Sequence, residues 1–188
     1  MLFDMSYTAP LTKHNFIESE FLFLDIESSG FGDASYPIEV AWMSEQGLSD
    51  DFLIKPCADW LERGYWDDHA EHSVHGISKA QLLAEGIDTF SAVSRLNESL
   101  QGKLLFCDML ALDGEWLTTL FIQARVAPFF KLADINQLYE FWGADKTDAF
   151  KQIINQLARD KQHRARSDAE HYIQAFKQLP EALARHFE

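Results

Sequence analysis

The hydrophobic pattern of the first third of the chain predicts an N-terminal arm followed by three strands. Residues 1–19 show little periodicity and form the arm. Residues 21–27 form an apolar run interrupted only by two acids, which is typical of a buried strand. Residues 37–43 and 51–55 predict two more strands, so this part of the chain is expected to be a β-meander. Residues 57–75 are aromatic and charged, and we expect an irregular loop there.

Helices and strands alternate along the rest of the chain. The predicted helices span residues 78–85, 89–101, 114–125, 147–158 and 164–178, with a short one after Pro180. The predicted strands span residues 103–107 and 129–135. Three strands followed by this alternation predict an α/β fold in which helices flank a mixed sheet. No linker rich in Pro, Gly or Ser divides the chain, so we expect one domain over residues 1–188 with its core at 20–178.

Composition narrows the class of protein. Of the 188 residues, 47% are hydrophobic, which is enough for a packed core and argues against disorder. No apolar run approaches the roughly 20 residues that a membrane helix needs. Residues 1–6 lack the basic segment that opens a secretory signal. Cys57 and Cys107 do not have metal-ligand spacing, so we expect two free thiols and a cytoplasmic location.

The net charge of −14 argues against broad adhesion to nucleic acid, because phosphate binding needs clustered Lys and Arg. It does not exclude a nucleic-acid enzyme, since a divalent cation supplies positive charge where phosphate lies. A short basic segment spans residues 159–166. It is equally well explained as a phosphate contact or as a solvated linker at the start of a helix.

Two acids in the first predicted strand are the main candidates for metal ligands. Asp25 and Glu27 are two residues apart, so both side chains lie on one face of the strand. Buried together they would repel, and a bound cation removes that cost. The alternative is a strand end at which both acids reach solvent. The apolar residues around them favour burial and therefore a metal site.

Three more polar residues can join this site. Asp168 lies on the inward face of the last long helix, and His163 reaches the same place if it precedes that helix. The alternative for His163 is a surface histidine in a basic segment. Asp113 precedes a predicted helix and shares a face with apolar residues, so we expect an N-cap that also turns toward the core.

The loop at 57–75 contains a competing set of ligands. His69, His72 and His75 have three-residue spacing, and on one side of a helix they would suit zinc, giving a zinc hydrolase as another hypothesis. The segment has no apolar face and no HExxH arrangement, which favours a surface loop. Aromatic residues of the same loop either stack on bases or anchor the loop to the core: Trp60, Tyr65 and Trp66.

Three segments resemble the exonuclease motifs of the DEDDh (DnaQ-like) 3′→5′ exonucleases, which include proofreading exonucleases, RNase T and oligoribonuclease. They are Asp25-Ile-Glu-Ser-Ser-Gly30, the central Asp113, and His163-Arg-Ala-Arg-Ser-Asp168-Ala. The resemblance covers roughly residues 20 to 178. His75-Gly-Ile77-Ser before a helix is a further similarity.

The chain departs from the family pattern at two places. Ser28 stands where members commonly carry Thr, and a hydroxyl is retained. The second motif lacks the usual His-Asn pair, which makes Asp108 an alternative to Asp113 as the ligand. Asp113 is preferred because Trp116 and Leu117 match the aromatic-Leu pair that follows the ligand in the family.

The resemblance implies a ribonuclease H-like fold with a mixed five-stranded sheet whose second strand is antiparallel. It implies two Mg²⁺ or Mn²⁺ ions held by carboxylates, with His163 taking a proton from water. The implied ligands are Asp25, Glu27, Asp113 and Asp168, and the implied substrate contacts are Ser28, Ser29, Gly30 and His75.

The implied activity is a 3′→5′ exonuclease that releases nucleoside 5′-monophosphates from single-stranded or 3′-terminal DNA or RNA. The alternative is a catalytically weak module of the same fold that docks on nucleic acid or a polymerase. The sequence leaves the choice between DNA and RNA open, together with length preference and homo-oligomer formation.

Overall fold

The structure, a computed structural model, describes residues 11–12, 20–158 and 163–179. Five strands in these ranges form one mixed sheet. The strands are β1 (Leu22–Ser28), β2 (Pro37–Ser44), β3 (Ser49–Leu53), β4 (Leu104–Cys107) and β5 (Lys131–Asp134). Their order is β3-β2-β1-β4-β5. β2 is antiparallel to β1 and β3, whereas β1, β4 and β5 run parallel. The predicted ribonuclease H-like α/β fold, with helices flanking a mixed five-stranded sheet, is confirmed.

Eight helices and one π-helical turn are described. They are α1 (Ala58–Arg63), α2 (Asp68–Ala70), the π-helical turn Glu71–His75, α3 (Lys79–Glu85), α4 (Thr89–Leu100), α5 (Leu110–Ala124), α6 (Ile135–Trp142), α7 (Ala144–Leu157) and α8 (Ala165–Gln178). None of the helices in the described ranges is long and apolar enough to cross a membrane.

Alternation along β1 explains how the helices form two layers. Leu22, Leu24 and Ile26 point to one face and pack in a core with α4 and α5. Phe23 points to the other face and packs in a second core with α6, α7 and α8. Asp25 has the same parity as Phe23, so the acids of β1 continue the face that α8 covers.

Two regions differ from the sequence expectation. The strand predicted at 129–135 is limited to β5, because the Asp134 carboxylate accepts a hydrogen bond from the Asn136 amide at 2.8 Å and begins α6. That helix was not predicted. The loop predicted at 57–75 contains two short helices, and Asp67 caps the second by accepting from the His69 amide at 2.9 Å.

The predicted N-cap role of Asp113 is wrong. Helix α5 begins at Leu110, four residues before the predicted start, and Asp113 lies in its first turn. The Asp113 amide donates to the Met109 carbonyl at 3.0 Å, so Asp113 is already inside the helix. The helix predicted after Pro180 and nearly all of the N-terminal arm lie outside the described residues.

Candidate active site

Three predicted ligands from distant parts of the chain meet at one end of the sheet. Asp25 and Glu27 lie near the end of β1, and Asp168 lies in the first turn of α8. One ligand oxygen from each lies within 4.8 Å of the others. In the described part of the chain this is the one group of three or more His, Cys, Asp or Glu side chains with such spacing. All three line a cavity of about 380 Å³.

Asp113 and Asp108 both line the same cavity, although the sequence analysis treated them as alternatives. Asp113 is only 2% exposed, and its Oδ2 has no hydrogen-bond partner among the described residues. Asp108 follows β4, which pairs in parallel with β1, and its Oδ2 accepts from the Tyr172 hydroxyl at 3.1 Å. The cavity therefore holds five carboxylates.

Burial and crowding oppose ionisation of these acids. Burial raises the pKa of Asp25 well above its usual value, and Asp113 and Glu27 raise it further. The pKa of Glu27 rises to about 8, mainly through burial and then through Asp168. Burial also raises the pKa of Asp113, with Asp108 adding to it.

A divalent cation would account for both the crowding of buried carboxylates and the unpartnered oxygen of Asp113. It favours the ionised carboxylates over the protonated ones, and the unpartnered Asp113 oxygen can coordinate it. Oxygen donors of this kind suit hard cations such as Mg²⁺ and Mn²⁺. The residues present therefore fit the cations that the sequence motifs imply.

His163 precedes α8, as it must to reach the site. Its amide donates to the Val74 carbonyl at 3.2 Å, which ties this segment to the π-helical turn. Its Nδ1 lies 3.6 Å from Asp168 Oδ2, and its side chain is 68% exposed. The imidazole therefore stands at the rim of the cavity, between the carboxylates and solvent.

A second histidine at the site was missed by the sequence analysis. His171 is 5% exposed, lines the cavity, and places Nδ1 3.5 Å from Asp168 Oδ1. The signal was its spacing, because residues three apart on a helix share a face. Asp168 was the one polar residue assigned to the inward face of that helix, and His171 was not considered.

Two aromatic side chains beside the cavity were also missed as contacts. Phe31 lines the cavity yet is 70% exposed, and its ring centroid lies 6.0 Å from that of Trp116. An exposed aromatic ring next to a cavity, as Phe31 is, provides a surface on which a nucleobase can stack. Phe31 directly follows the first motif, which was the available signal.

The predicted substrate contacts after β1 have different surroundings. Ser28 and Gly30 line the cavity, and the Ser28 hydroxyl donates to the Gly30 carbonyl at 2.8 Å. Gly30 has a φ of +153°, and a Cβ there would lie 2.7 Å from a Tyr65 ring carbon, so glycine is required. Ser29 is fully buried, and its hydroxyl accepts from the Tyr36 amide at 2.9 Å.

His75 faces the cavity as a buried neutral donor. It is 1% exposed, and its Nδ1 accepts from the Ile77 amide at 3.0 Å, which leaves the proton on Nε2. Burial lowers its pKa and keeps it neutral. Nε2 has no partner in the described ranges, so a polar group in the cavity would satisfy it.

The histidines at 69–75 do not form a metal site together. His69 is exposed, and His72 places Nδ1 2.6 Å from the Asp68 carbonyl. No described group of metal-ligand side chains includes any of the three. The nearby Trp60 is buried and stacks on Tyr36 at 5.2 Å, so it anchors the loop to the core.

The described arginines of the basic segment are already paired. Arg164 binds Glu39 with both Nε and Nη2, and Arg166 binds Asp51 and Glu170. Residues 159–162 lie outside the described ranges.

Both cysteines are free thiols, as predicted.

Comparison with known proteins supports the fold. A scan against protein-family models finds no match, and a search of curated protein sequences finds no significant match. E. coli exonuclease I in complex with a dA16 oligonucleotide is similar, with 18% identity over 85% of this chain and 40% of that chain and a TM-score of 0.64. Its zinc-bound complex with ssDNA gives 17% identity, the same coverage and a TM-score of 0.64.

The product-bound structure of exonuclease I gives 17% identity over 85% of this chain and 42% of that chain, with a TM-score of 0.62. The chain thus spans about 40% of the length of exonuclease I. The likeness agrees with the motif resemblance described above. It shows that this chain shares its fold with part of E. coli exonuclease I.

Proposed function

We propose that this protein is a metal-dependent 3′→5′ exonuclease of the DEDDh type. The observation that carries the proposal is the cluster of Asp25, Glu27 and Asp168 oxygens within 4.8 Å of one another, in a fold shared with exonuclease I. The ligand set we propose is these three acids with Asp113, and the ions are two Mg²⁺ or Mn²⁺. When bound, such ions supply Lewis acidity that activates water and offsets charge on the phosphate.

The protein's own residues position the substrate and move the proton. The 3′-terminal nucleotide lies in the cavity, with its base against the exposed ring of Phe31. The Nε2–H of His75 and the polar groups around Ser28 and Gly30 hold its sugar and phosphate. These contacts are consistent with a single strand, because the cavity of about 380 Å³ has the size of a small-ligand pocket.

His163 is the proposed general base. Its Nδ1 faces Asp168, which orients the ring and leaves Nε2 to accept the proton of the attacking water. The oxygen of that water bonds to phosphorus as the bond to the 3′-oxygen of the preceding nucleotide breaks. The products are a nucleoside 5′-monophosphate and a strand shortened by one residue with a 3′-hydroxyl.

The neighbouring structures that contain dA16 and ssDNA lead us to propose single-stranded or 3′-terminal nucleic acid as the partner. The two free thiols fit our proposal of a reducing, cytoplasmic setting.

Degradation of matched 5′-labelled DNA and RNA single strands with Mg²⁺ or Mn²⁺ tests the function. We expect a ladder that shortens from the 3′ end, nucleoside 5′-monophosphate products, and no reaction by Asp25→Asn. Binding of the strands by the wild type without hydrolysis would overturn the exonuclease and favour the docking module.

A further inference from the structure

A groove leaves the candidate active site between α6 and α7. A cavity of about 280 Å³ adjoins the first one, and both are lined by Asp108, Ile154 and Tyr172. A third cavity of about 400 Å³ follows the second. The second and third share Asn136, Tyr139 and Lys151. The second and third cavities form a continuous path away from the first one, which we call the α6–α7 groove.

Lys151 is the one Lys or Arg side chain that lines these three cavities among the described residues. Its ammonium lies 4.6 Å from the centroid of the Tyr139 ring at the junction of the second and third cavities. The groove otherwise offers the acids Asp108 and Glu140 and the amides of Asn136 and Asn155. A polyanion in this groove therefore has one attractive charge contact, at Lys151.

We propose that the α6–α7 groove binds the nucleotides that precede the 3′-terminal one, with Lys151 contacting a phosphodiester of the strand. This inference rests on the proposed exonuclease function. Each of the two outer cavities has about the volume of a small-ligand pocket, which suits one nucleotide of a single strand. Tyr139 and the two asparagines supply hydrogen-bonding groups for bases or sugars.

Two substrates of different length distinguish an effect on the groove from an effect on the catalytic cavity. Thymidine 5′-monophosphate p-nitrophenyl ester has only a p-nitrophenyl leaving group beyond the scissile bond, whereas a single-stranded hexanucleotide extends into the groove. For Lys151→Ala we expect the ratio of hexanucleotide to ester kcat/KM to fall about 3- to 5-fold, the worth of one exposed ion contact. The dependence of hexanucleotide kcat/KM on salt should also become shallower.

Lys146→Ala is the control, because Lys146 lies on the same helix but lines none of the three cavities. Its own cavity, beside Trp142, borders the third one at Gly143 and Ala144. This variant should keep the wild-type ratio. An unchanged ratio in Lys151→Ala, or an equal fall in both variants, would contradict the proposal that the groove binds the strand. If the wild type hydrolyses neither substrate, the proposed function fails instead. Binding of a labelled hexanucleotide by fluorescence anisotropy then still tests the groove, since only Lys151→Ala should weaken it.

A separate observation concerns Glu39, which the proposed chemistry does not use. Glu39 on β2 is the cross-strand partner of Glu27 on β1, and its side chain is 3% exposed. Its carboxylate accepts from Arg164 Nε at 3.0 Å and Nη2 at 2.5 Å. It also accepts from the Ala165 amide at 3.0 Å. Strand β2 thus holds the first residue of α8 directly.

This contact replaces a missing helix cap. Arg164 stands at the N-cap position of α8 and makes no side-chain capping bond. The Glu39 carboxylate therefore accepts from the buried amide of Ala165, which has no acceptor within the helix. Asp168 lies in the turn that follows, and His163 directly precedes Arg164. We infer that the Glu39–Arg164 pair is a positioning pair, which sets Asp168 and His163 against the acids of β1.

Asp51 offers a matched control, because it links β3 to the same helix through Arg166 but at an exposed site. For Glu39→Gln we expect about a 10-fold weaker Mn²⁺ affinity by calorimetry, within the range for residues that orient metal ligands. Asp51→Asn should stay within about twofold of the wild type. A Glu39→Gln protein that melts earlier but binds Mn²⁺ as the wild type does would overturn the inference, since Glu39 would then only stabilise the fold. This measurement does not depend on nuclease activity.

Discussion

Two groups of potential metal ligands in this protein differ in how they are placed. The acids of β1 and α8 lie far apart in sequence, yet their oxygens come within 4.8 Å. The histidines at positions 69, 72 and 75 lie close in sequence and form no such group. His75 is buried against the Ile77 amide, whereas His69 is exposed.

The local backbone explains the difference. Three-residue spacing places side chains on one face only in a regular helix, and here α2 passes into the π-helical turn Glu71–His75, which changes that periodicity. The acids of β1 obey the two-residue period of a strand, and α8 crosses that face of the sheet. Ligand spacing is therefore informative only together with the element that carries it.

The largest expected effect comes from breaking the carboxylate group. Asp25→Asn and Asp168→Asn should each abolish nuclease activity, because each removes a charge from the proposed cation ligands. Excess EDTA should do the same to the wild type. Oligonucleotide degradation and calorimetric Mn²⁺ titration measure the two consequences. Wild-type turnover in either variant would show that the ligand assignment is wrong.

His163→Ala should lower the rate by about 10²- to 10⁴-fold, the range for loss of a general base. Mn²⁺ affinity measured by calorimetry should change little, because we assign His163 to the water. Single-turnover rates of degradation provide the measurement. A near-normal rate would indicate that His163 is only a surface histidine. A large loss of Mn²⁺ affinity would indicate that it is a metal ligand.

Asp113→Asn should stabilise the metal-free protein modestly, because burial and Asp108 raise the pKa of Asp113 and folding must bury its charge or protonate it. Mg²⁺ at a hundredfold excess over Kd should stabilise the wild type by about 2.7 kcal/mol for each bound ion, and this raises its melting temperature. The variant should lose most of that increase. Calorimetric melting with EDTA and with Mg²⁺ checks both, and an undiminished Mg²⁺ effect would exclude Asp113 as a ligand.

The smallest effect is expected from the histidines that remain apart. The double variant His69→Ala/His72→Ala should keep wild-type degradation rates and lose at most about 0.5 kcal/mol of stability, as surface changes usually do. Metal analysis of protein purified without added metal should find no stoichiometric zinc. Stoichiometric zinc in the wild type that is lost in the double variant would support the zinc-hydrolase hypothesis.

The hydrophobic pattern of the sequence was sufficient to predict the fold class and most of the elements that carry the site. The continuous apolar run at residues 21–27 and the alternation of the later segments predicted a mixed α/β sheet, because burial on both faces leaves that signature. The predicted start of the last long helix at residue 164 is close to the observed start of α8 at Ala165, and His163 precedes it, as its reach to the site required. Boundaries failed where a polar residue served two elements, as Asp134 ends β5 and caps α6.

The sequence by itself determined which residues are acidic, which face of β1 carries them, and that they would be costly to bury without a cation. Only the tertiary structure decided that Asp108 and Asp113 both enter the cavity, that His171 lies beside Asp168, and that Glu39 holds the start of α8. Spacing along the chain fixes the face of an element, whereas contacts between elements depend on how their apolar faces pack.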